Sequence, residues 1–136
     1  MINTYLLYDG KCEEAFTLYA KVLGGKIEAM LPFEGSPAAQ GMPPGFAKKI
    51  LHAKMNIGGQ LLMASDCPPE KGFEKPQGFS VNISVEKPAD AERIYNGLSA
   101  GGKIIMPLSE TFWAQKFGMF VDRFGTPWMV NCEKPR

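Results

Sequence analysis

One tetrapeptide occurs twice in the chain, each time directly after a segment with helical periodicity, and this repeat constrains the fold strongly. Gly24-Gly25-Lys26-Ile27 recurs as Gly101-Gly102-Lys103-Ile104. Consecutive glycines are typical of a helix end. The apolar residues before the two copies recur at the spacing of one helix face: Ala15, Phe16, Leu18, Tyr19, Val22 and Leu23, then Ala91, Ile94, Tyr95 and Leu98. The sequence therefore predicts helices over 11–23 and 88–100 in two copies of one module.

Segments with strand composition surround each predicted helix at matching positions. One strand precedes each helix, and three follow it. The predicted strands are 4–8, 26–32, 49–57 and 60–65 in the first half, and 79–85, 103–108, 115–122 and 127–132 in the second. The order is βαβββ twice. We expect a single domain, 1–136, in which modules 1–66 and 79–136 are joined by a linker at 67–78 that is rich in proline and glycine.

The strand before the second helix alternates apolar and polar residues. Phe79, Val81, Ile83 and Val85 share one face, and Ser80, Asn82 and Ser84 share the other. A parallel strand buried on both sides would be apolar on both faces. The pattern predicts an α+β fold with mixed sheets, each covered by a helix on one side only.

Composition and charge favour a small-molecule ligand. The 136 residues carry a formal net charge of +1, and no apolar run is long enough to span a membrane. We therefore expect no nucleic-acid or membrane partner and a cytoplasmic protein. Cys12, Cys67 and Cys132 are widely spaced and odd in number, which predicts reduced thiols rather than a disulfide scaffold.

Three segments resemble one known family. Asp122-Arg123-Phe124-Gly125-Thr126-Pro127-Trp128-Met129-Val130-Asn131, together with residues 3–28, is similar to the vicinal oxygen chelate superfamily, which includes glyoxalase I, the fosfomycin and bleomycin resistance proteins and ring-cleaving dioxygenases. Residues 109–117 are typical of its PhnB-like branch. The resemblance implies two modules that curve into an open barrel of mixed sheet with helices outside and a ligand cavity on the concave face.

The resemblance also implies where metal ligands would stand. Superfamily members with known chemistry hold a divalent metal through His and Glu side chains, and open coordination positions permit Lewis-acid catalysis. Counting from the shared landmarks places these positions at Thr4, Leu62 or Met63, Ser80 and Met129. None is a good ligand, so we predict no metal site. The cofactor is left unassigned, with a divalent metal as an alternative that these ligand positions do not support.

Several residues are candidates for the concave face. The single histidine, His52, is the candidate general base, with a half-buried structural histidine as the alternative. Trp113 lines the cavity in one interpretation and belongs to the core or a dimer contact in the other. Asp122 is expected to accept backbone N–H bonds in a turn. The predicted ligand-binding residues are Thr4, His52, Ser80, Asn82, Trp113, Met129 and Asn131.

Two functions follow from the resemblance. One is a binding protein that holds a small molecule without metal, as the bleomycin resistance members do. The other is a metal-dependent isomerase, lyase, dioxygenase or antibiotic-modifying enzyme that acts on a small oxygenated metabolite. Whether the chain is an enzyme stays open. We expect a homodimer, because folds of this kind expose a sheet edge or a helix face.

Overall fold

The computed structural model describes residues 1–135 and contains two compact units, Met1–Glu74 (unit 1) and Lys75–Arg136 (unit 2). The boundary lies within the segment 67–78, where the sequence predicts a linker. Unit 1 contains β1 (Thr4–Tyr8), α1 (Cys12–Leu23), β2 (Lys26–Pro32), β3 (Ile50–Ile57) and β4 (Gln60–Asp66). Its sheet has the order β1-β4-β3-β2, in which β1 is parallel to β4 and the other pairs are antiparallel.

Unit 2 repeats this topology. It contains β5 (Val81–Val85), α2 (Pro88–Ser99), β6 (Lys103–Ser109), β7 (Ala114–Val121) and β8 (Pro127–Glu133). Its sheet has the order β5-β8-β7-β6, again with one parallel pair, β5 with β8. The α+β class and the βαβββ order predicted from the sequence are confirmed, with element ends that differ from the prediction by two residues or fewer.

Each helix covers one face of its own sheet. In unit 1, the rings of Tyr8 and Phe16 meet edge to face at 6.4 Å between centroids, and the hydroxyl of Tyr8 donates to that of Tyr19. In unit 2, the ring of Tyr95 meets Phe120 at 5.2 Å. The core of each unit therefore lies between helix and sheet. The largest fully buried side chains include Trp128.

The turn between β7 and β8 is organised by Asp122. Its Oδ1 accepts hydrogen bonds from the backbone N–H groups of Phe124 and Thr126, and its Oδ2 accepts from Nε1 of Trp128 at 2.8 Å. The predicted structural role of this aspartate is confirmed. The bond to the indole extends that role, because it joins the turn to the largest side chain of the core.

Candidate functional site

The sheet of each unit has a second face, opposite its helix, which we call the open face. In β7, Lys116 bonds to Glu92 of α2 and Gly118 packs under Tyr95, so these residues point toward the helix. Alternation therefore places Phe117 and Met119 on the open face. The same reasoning places Met129 and Asn131 there, because Trp128 and Val130 of the same strand are buried.

Strand register brings several predicted site residues together on the open face of unit 2. Asn82 is paired with Met129, and Met129 with Met119, which is paired in turn with Met106 of the edge strand β6. In the next row, Ser84 is paired with Asn131, and Asn131 with Phe117. This face therefore combines methionine and aromatic side chains with neutral amides and a hydroxyl.

Trp113 lies beside this face, just before β7. Its ring lies 5.3 Å from that of Phe117 and 4.9 Å from that of Phe112, both in edge-to-face contacts. The side chain of Trp113 is 44% exposed, whereas Phe117 is buried. Trp113 thus contacts the rings of Phe112 and Phe117 and still has exposed surface, which suits stacking on a planar molecule.

Asn131 of unit 2 has an unusual hydrogen-bonding environment. Its Oδ1 is buried and has no hydrogen-bond partner among the described residues. By contrast, the amide of Asn82 donates to the hydroxyl of Ser84 at 3.1 Å. The amide torsion of asparagine is broad, so a small rotation can turn Oδ1 of the half-buried Asn131 toward the open face. The site therefore contains a buried hydrogen-bond acceptor, Oδ1 of Asn131, to which no described residue donates.

The open face of unit 1 has a different chemistry. His52 lies there with its Nδ1 3.1 Å from the hydroxyl of Tyr5, and the two rings are stacked at 5.8 Å between centroids. This hydrogen bond holds the imidazole ring in one orientation and leaves Nε2 for another partner. On the same face, Glu28 bonds to Lys54 at 3.8 Å and accepts a hydrogen bond from Asn56. The open face of unit 1 therefore includes an imidazole, an ammonium and a carboxylate, whereas the rows described for unit 2 consist of neutral side chains.

Comparison with known proteins places the chain in a family. Residues 1–130 match the family model of the Glyoxalase/Bleomycin resistance protein/Dioxygenase superfamily. The chain belongs to this superfamily.

Individual relatives span nearly the whole chain. Protein YjdN of Escherichia coli K12 is 33% identical over 98% of this chain and 95% of its own length. The crystal structure of protein PA1353 from Pseudomonas aeruginosa is 48% identical, covers 99% of this chain and 98% of that one, and superposes with a TM-score of 0.91. A structure described as a putative 3-demethylubiquinone-9 3-methyltransferase, PhnB protein, from Bacillus cereus is 25% identical over 96% and 98%, with a TM-score of 0.82. The resemblance to the superfamily and its PhnB-like branch is confirmed.

The part of the chain that the structure describes does not offer a set of donors for the superfamily's metal chemistry. Within residues 1–135, no group of three or more His, Cys, Asp or Glu side chains lies close enough together to hold a metal ion. His52 is hydrogen-bonded to Tyr5, and Glu28, on the same face, forms an ion pair with Lys54. The residues do not fit a metal centre, and we derive no step through one.

One of the superfamily-based site assignments and one predicted strand start need correction. Thr4 alternates with buried Leu6 and Tyr8 and therefore lies on the helix-covered face, not the open one. After Thr4, both faces of β1 carry apolar or aromatic side chains. The sequence of this strand therefore does not reveal which face packs against the helix. Ser80 lies just before β5, which begins at Val81 rather than at 79.

The sequence interpretation missed Tyr5, whose contact with His52 spans 47 positions of the chain. His52 alternates with the buried residues Ala53 and Met55 and so shares a face with Lys54 and Asn56. Identifying its partner required the register of β1, which pairs with β4 rather than with β3. No local signal in the sequence contains that information.

Proposed function

We propose that the protein binds a small, mainly apolar or aromatic molecule on the open face of unit 2, and that this molecule donates a hydrogen bond to Asn131. The unpartnered Oδ1 of Asn131 is the observation on which the proposal rests. A buried acceptor without a donor costs about 1–3 kcal/mol, and a ligand O–H or N–H would recover part of that cost. Membership of the superfamily, which includes bleomycin resistance proteins, supports the assignment.

The surroundings of Asn131 define the rest of the ligand. Met119 and Met129 lie on the adjacent row, and methionine side chains adapt to different apolar shapes. Half-exposed Trp113, which packs against the buried ring of Phe117, offers a ring face and ring edges. A planar apolar body with one donor group matches this combination, and Asn82 is the second polar residue positioned to orient it. Ser80 stays a predicted contact.

The binding-protein function is preferred because no metal donor set supports the enzyme alternative. His52 stays the candidate general base of unit 1, with its ring oriented by Tyr5. A test of that role is loss of any detected turnover in His52→Ala with folding retained. Unchanged turnover would remove His52 from the mechanism.

We also infer a homodimer and a cytoplasmic location. Ile104, Ile105 and Met106 on the edge strand β6 are 45%, 53% and 41% exposed, and a contiguous apolar edge favours self-association. The three cysteines are unpaired, which suits a reducing compartment. Separately, no helix in residues 1–135 is long and apolar enough to cross a membrane.

The binding proposal is tested with a pair of probes that differ in one donor. 2-Naphthol carries an O–H group, and 2-methoxynaphthalene has the same ring system without it. Titration into protein with ¹³C-labelled methionine methyl groups should shift the signals of Met119 and Met129 and leave that of Met55, buried in unit 1, unchanged. We expect 2-naphthol to bind about tenfold more tightly, since a hydrogen bond contributes about 1 kcal/mol or more.

Two variants test whether Asn131 causes the preference for 2-naphthol over 2-methoxynaphthalene. Asn131→Ala should abolish the difference between the two probes, whereas Asn96→Ala, on the exposed surface of α2, should leave it intact. Equal affinities of the wild-type protein for the two probes, or signals of Met119 and Met129 that do not move, would refute the proposed site.

A further inference from the structure

A cavity of about 420 Å³ opens in unit 1 beside the turn that joins β1 to α1. None of the residues that line the cavity lies on the open face of either unit, so the cavity shares no residue with the site proposed above. Its volume lies within the range of roughly 300–1,000 Å³ that is typical of small-molecule sites. Six of its lining side chains determine its chemistry: Asp9, Lys11, Glu14, Phe46, Lys49 and Phe73.

A buried carboxylate fixes the frame of this cavity. Asp66 is 1% exposed, and its Oδ1 accepts a hydrogen bond from the backbone N–H of Cys12 while its Oδ2 accepts from that of Ile50. These bonds join the beginning of α1 to the beginning of β3. Backbone N–H of Cys67, a lining residue, donates to the carbonyl of Tyr8 at 2.8 Å. Three chain segments around the cavity are thus held together before any ligand binds.

Lys49 contributes a positive charge that lacks an acidic partner. Its half-buried ammonium donates to the carbonyl oxygen of Gly10 at 2.8 Å, and among the described residues no carboxylate lies within ion-pair distance of it. An ammonium has three N–H donors, so two remain for a ligand. Gly10 permits this approach, because it has φ +80° and a Cβ there would lie 3.4 Å from Cε of Lys49.

The other walls add negative charge and apolar surface. Asp9 and Glu14 line the cavity as well, and both are exposed enough to remain solvated without a ligand. Phe46 packs against buried Phe33 at 5.2 Å between ring centroids, which fixes one apolar wall, and Phe73 forms another. A simple anion would meet the two carboxylates, and a simple cation would meet Lys49. A molecule with both charges and an apolar group matches all the walls.

We propose that this cavity binds a free amino acid or a closely similar zwitterion with an apolar side chain. The carboxylate of the ligand accepts hydrogen bonds from Lys49, with Lys11 as a second cation at the rim. Its ammonium group donates to Glu14, with Asp9 as a second carboxylate, and its side chain contacts Phe46 and Phe73. Charge-assisted bonds of this kind are stronger than neutral ones, and two of opposite polarity fix the orientation of the ligand.

The test uses L-phenylalanine and two compounds that each lack one charge. 3-Phenylpropionate has no ammonium group, and phenethylamine has no carboxylate. Isothermal titration calorimetry of the full chain should give measurable binding of L-phenylalanine and at least about tenfold weaker binding of both analogues, since each loses a charge-assisted bond. No binding of L-phenylalanine, or equal binding of all three compounds, would overturn the proposal.

Two variants separate the contributions of the charges. Lys49→Met keeps the apolar stem and removes the ammonium, so it should weaken L-phenylalanine binding at least about tenfold, whereas the neighbouring exposed Lys48→Met should not. Glu14→Gln, on the exposed surface of α1, should weaken L-phenylalanine but not 3-phenylpropionate. Binding unchanged by both Lys49→Met and Glu14→Gln would contradict the assignment.

Binding of L-phenylalanine to this cavity is expected to be independent of binding at the unit 2 site. Asn131→Ala should leave L-phenylalanine binding unchanged, and Lys49→Met should leave 2-naphthol binding unchanged. Failure of one proposal can therefore be told apart from failure of the other.

Discussion

At the scale of single residues, Asp122 is the side chain whose loss should cost the most stability. It is 3% exposed and accepts hydrogen bonds from two backbone N–H groups and from the indole of Trp128. Asp122→Ala leaves these donors without an acceptor in a buried turn. We expect the free energy of unfolding to fall by about 3 kcal/mol or more. Urea denaturation followed by far-UV circular dichroism measures this change.

The matched control for Asp122 is an acidic residue of the same unit with an exposed ion pair. Glu110 bonds to Lys134 at 3.1 Å, and its side chain is 71% exposed. Glu110→Ala should change the free energy of unfolding by less than about 1 kcal/mol, because solvent screens such pairs. Similar losses in the two variants would contradict the role given to the buried turn.

The thiol of Cys12 makes stability depend on pH. Burial raises its pKa above the ordinary value, and the carboxylates of Asp66 and Glu13 raise it further. Below the unfolded-state pKa of about 8.5 the thiol is protonated in both states, so its contribution to stability is fully present. Above that pH the unfolded chain loses the proton while the folded chain keeps it, and stability falls by about 1.4 kcal/mol per pH unit.

Comparison with Cys12→Ala isolates this effect. Urea denaturation between pH 7.5 and 10, in the presence of a reductant, should show the wild-type free energy of unfolding falling more steeply than that of the variant above about pH 8.5. Parallel curves would show that the thiol does not titrate differently in the folded and unfolded states.

At the scale of elements, the repeated Gly-Gly-Lys-Ile sequence ends both helices, but its second glycine is constrained differently in the two units. A Cβ on Gly25 would lie 2.8 Å from Sδ of Met55, a flexible side chain that can move. A Cβ on Gly102 would collide with the carbonyl oxygen of Val121 and lie 2.9 Å from two backbone atoms of Asp122. Backbone atoms of a central strand cannot move without loss of its pairing.

These contacts predict an asymmetric effect of the same substitution. Gly25→Ala should lower the free energy of unfolding by about 1–2 kcal/mol, and Gly102→Ala by about 3 kcal/mol or more. Gly45→Ala is the control, since no atom lies within 4 Å of its Cβ position and its φ is not positive, so the change should be neutral or slightly stabilising. Equal losses at positions 25 and 102, measured by thermal and urea denaturation, would contradict this interpretation.

Element positions were predictable because their signals are local. Helical spacing followed by glycine gave both helices, and alternation gave the two faces of β5. The face of β1 was not predictable, because Tyr5, Leu6 and Leu7 are all apolar or aromatic and only packing against α1 decides between them. Pairing of β1 with β4, which determines the surroundings of His52, depends on residues far apart in the chain.

At the scale of the whole molecule, a duplicated topology carries two different chemistries. Unit 1 has Tyr5, His52, Glu28 and Lys54 on its open face, whereas unit 2 has methionines, aromatic rings and amides there. The family and its fold follow from the sequence pattern, because they depend on the repeated module. The unpartnered Oδ1 of Asn131 and the cavity beside Lys49 do not follow from the sequence pattern. Both arise from contacts between segments that are distant in the chain.

The proposed homodimer is tested by mass. Native mass spectrometry and light scattering at about 10 µM, a concentration well above the dissociation constants usual for specific dimers, should give twice the chain mass of 14.9 kDa. Ile105→Lys places a charge on the exposed edge strand β6, and burying it in an interface would be costly, so the variant should shift toward monomer. Ile2→Lys, at a fully exposed position near the N-terminus, should remain dimeric. Monomer mass for the wild-type chain would exclude the dimer, and a dimeric Ile105→Lys would move the interface away from β6.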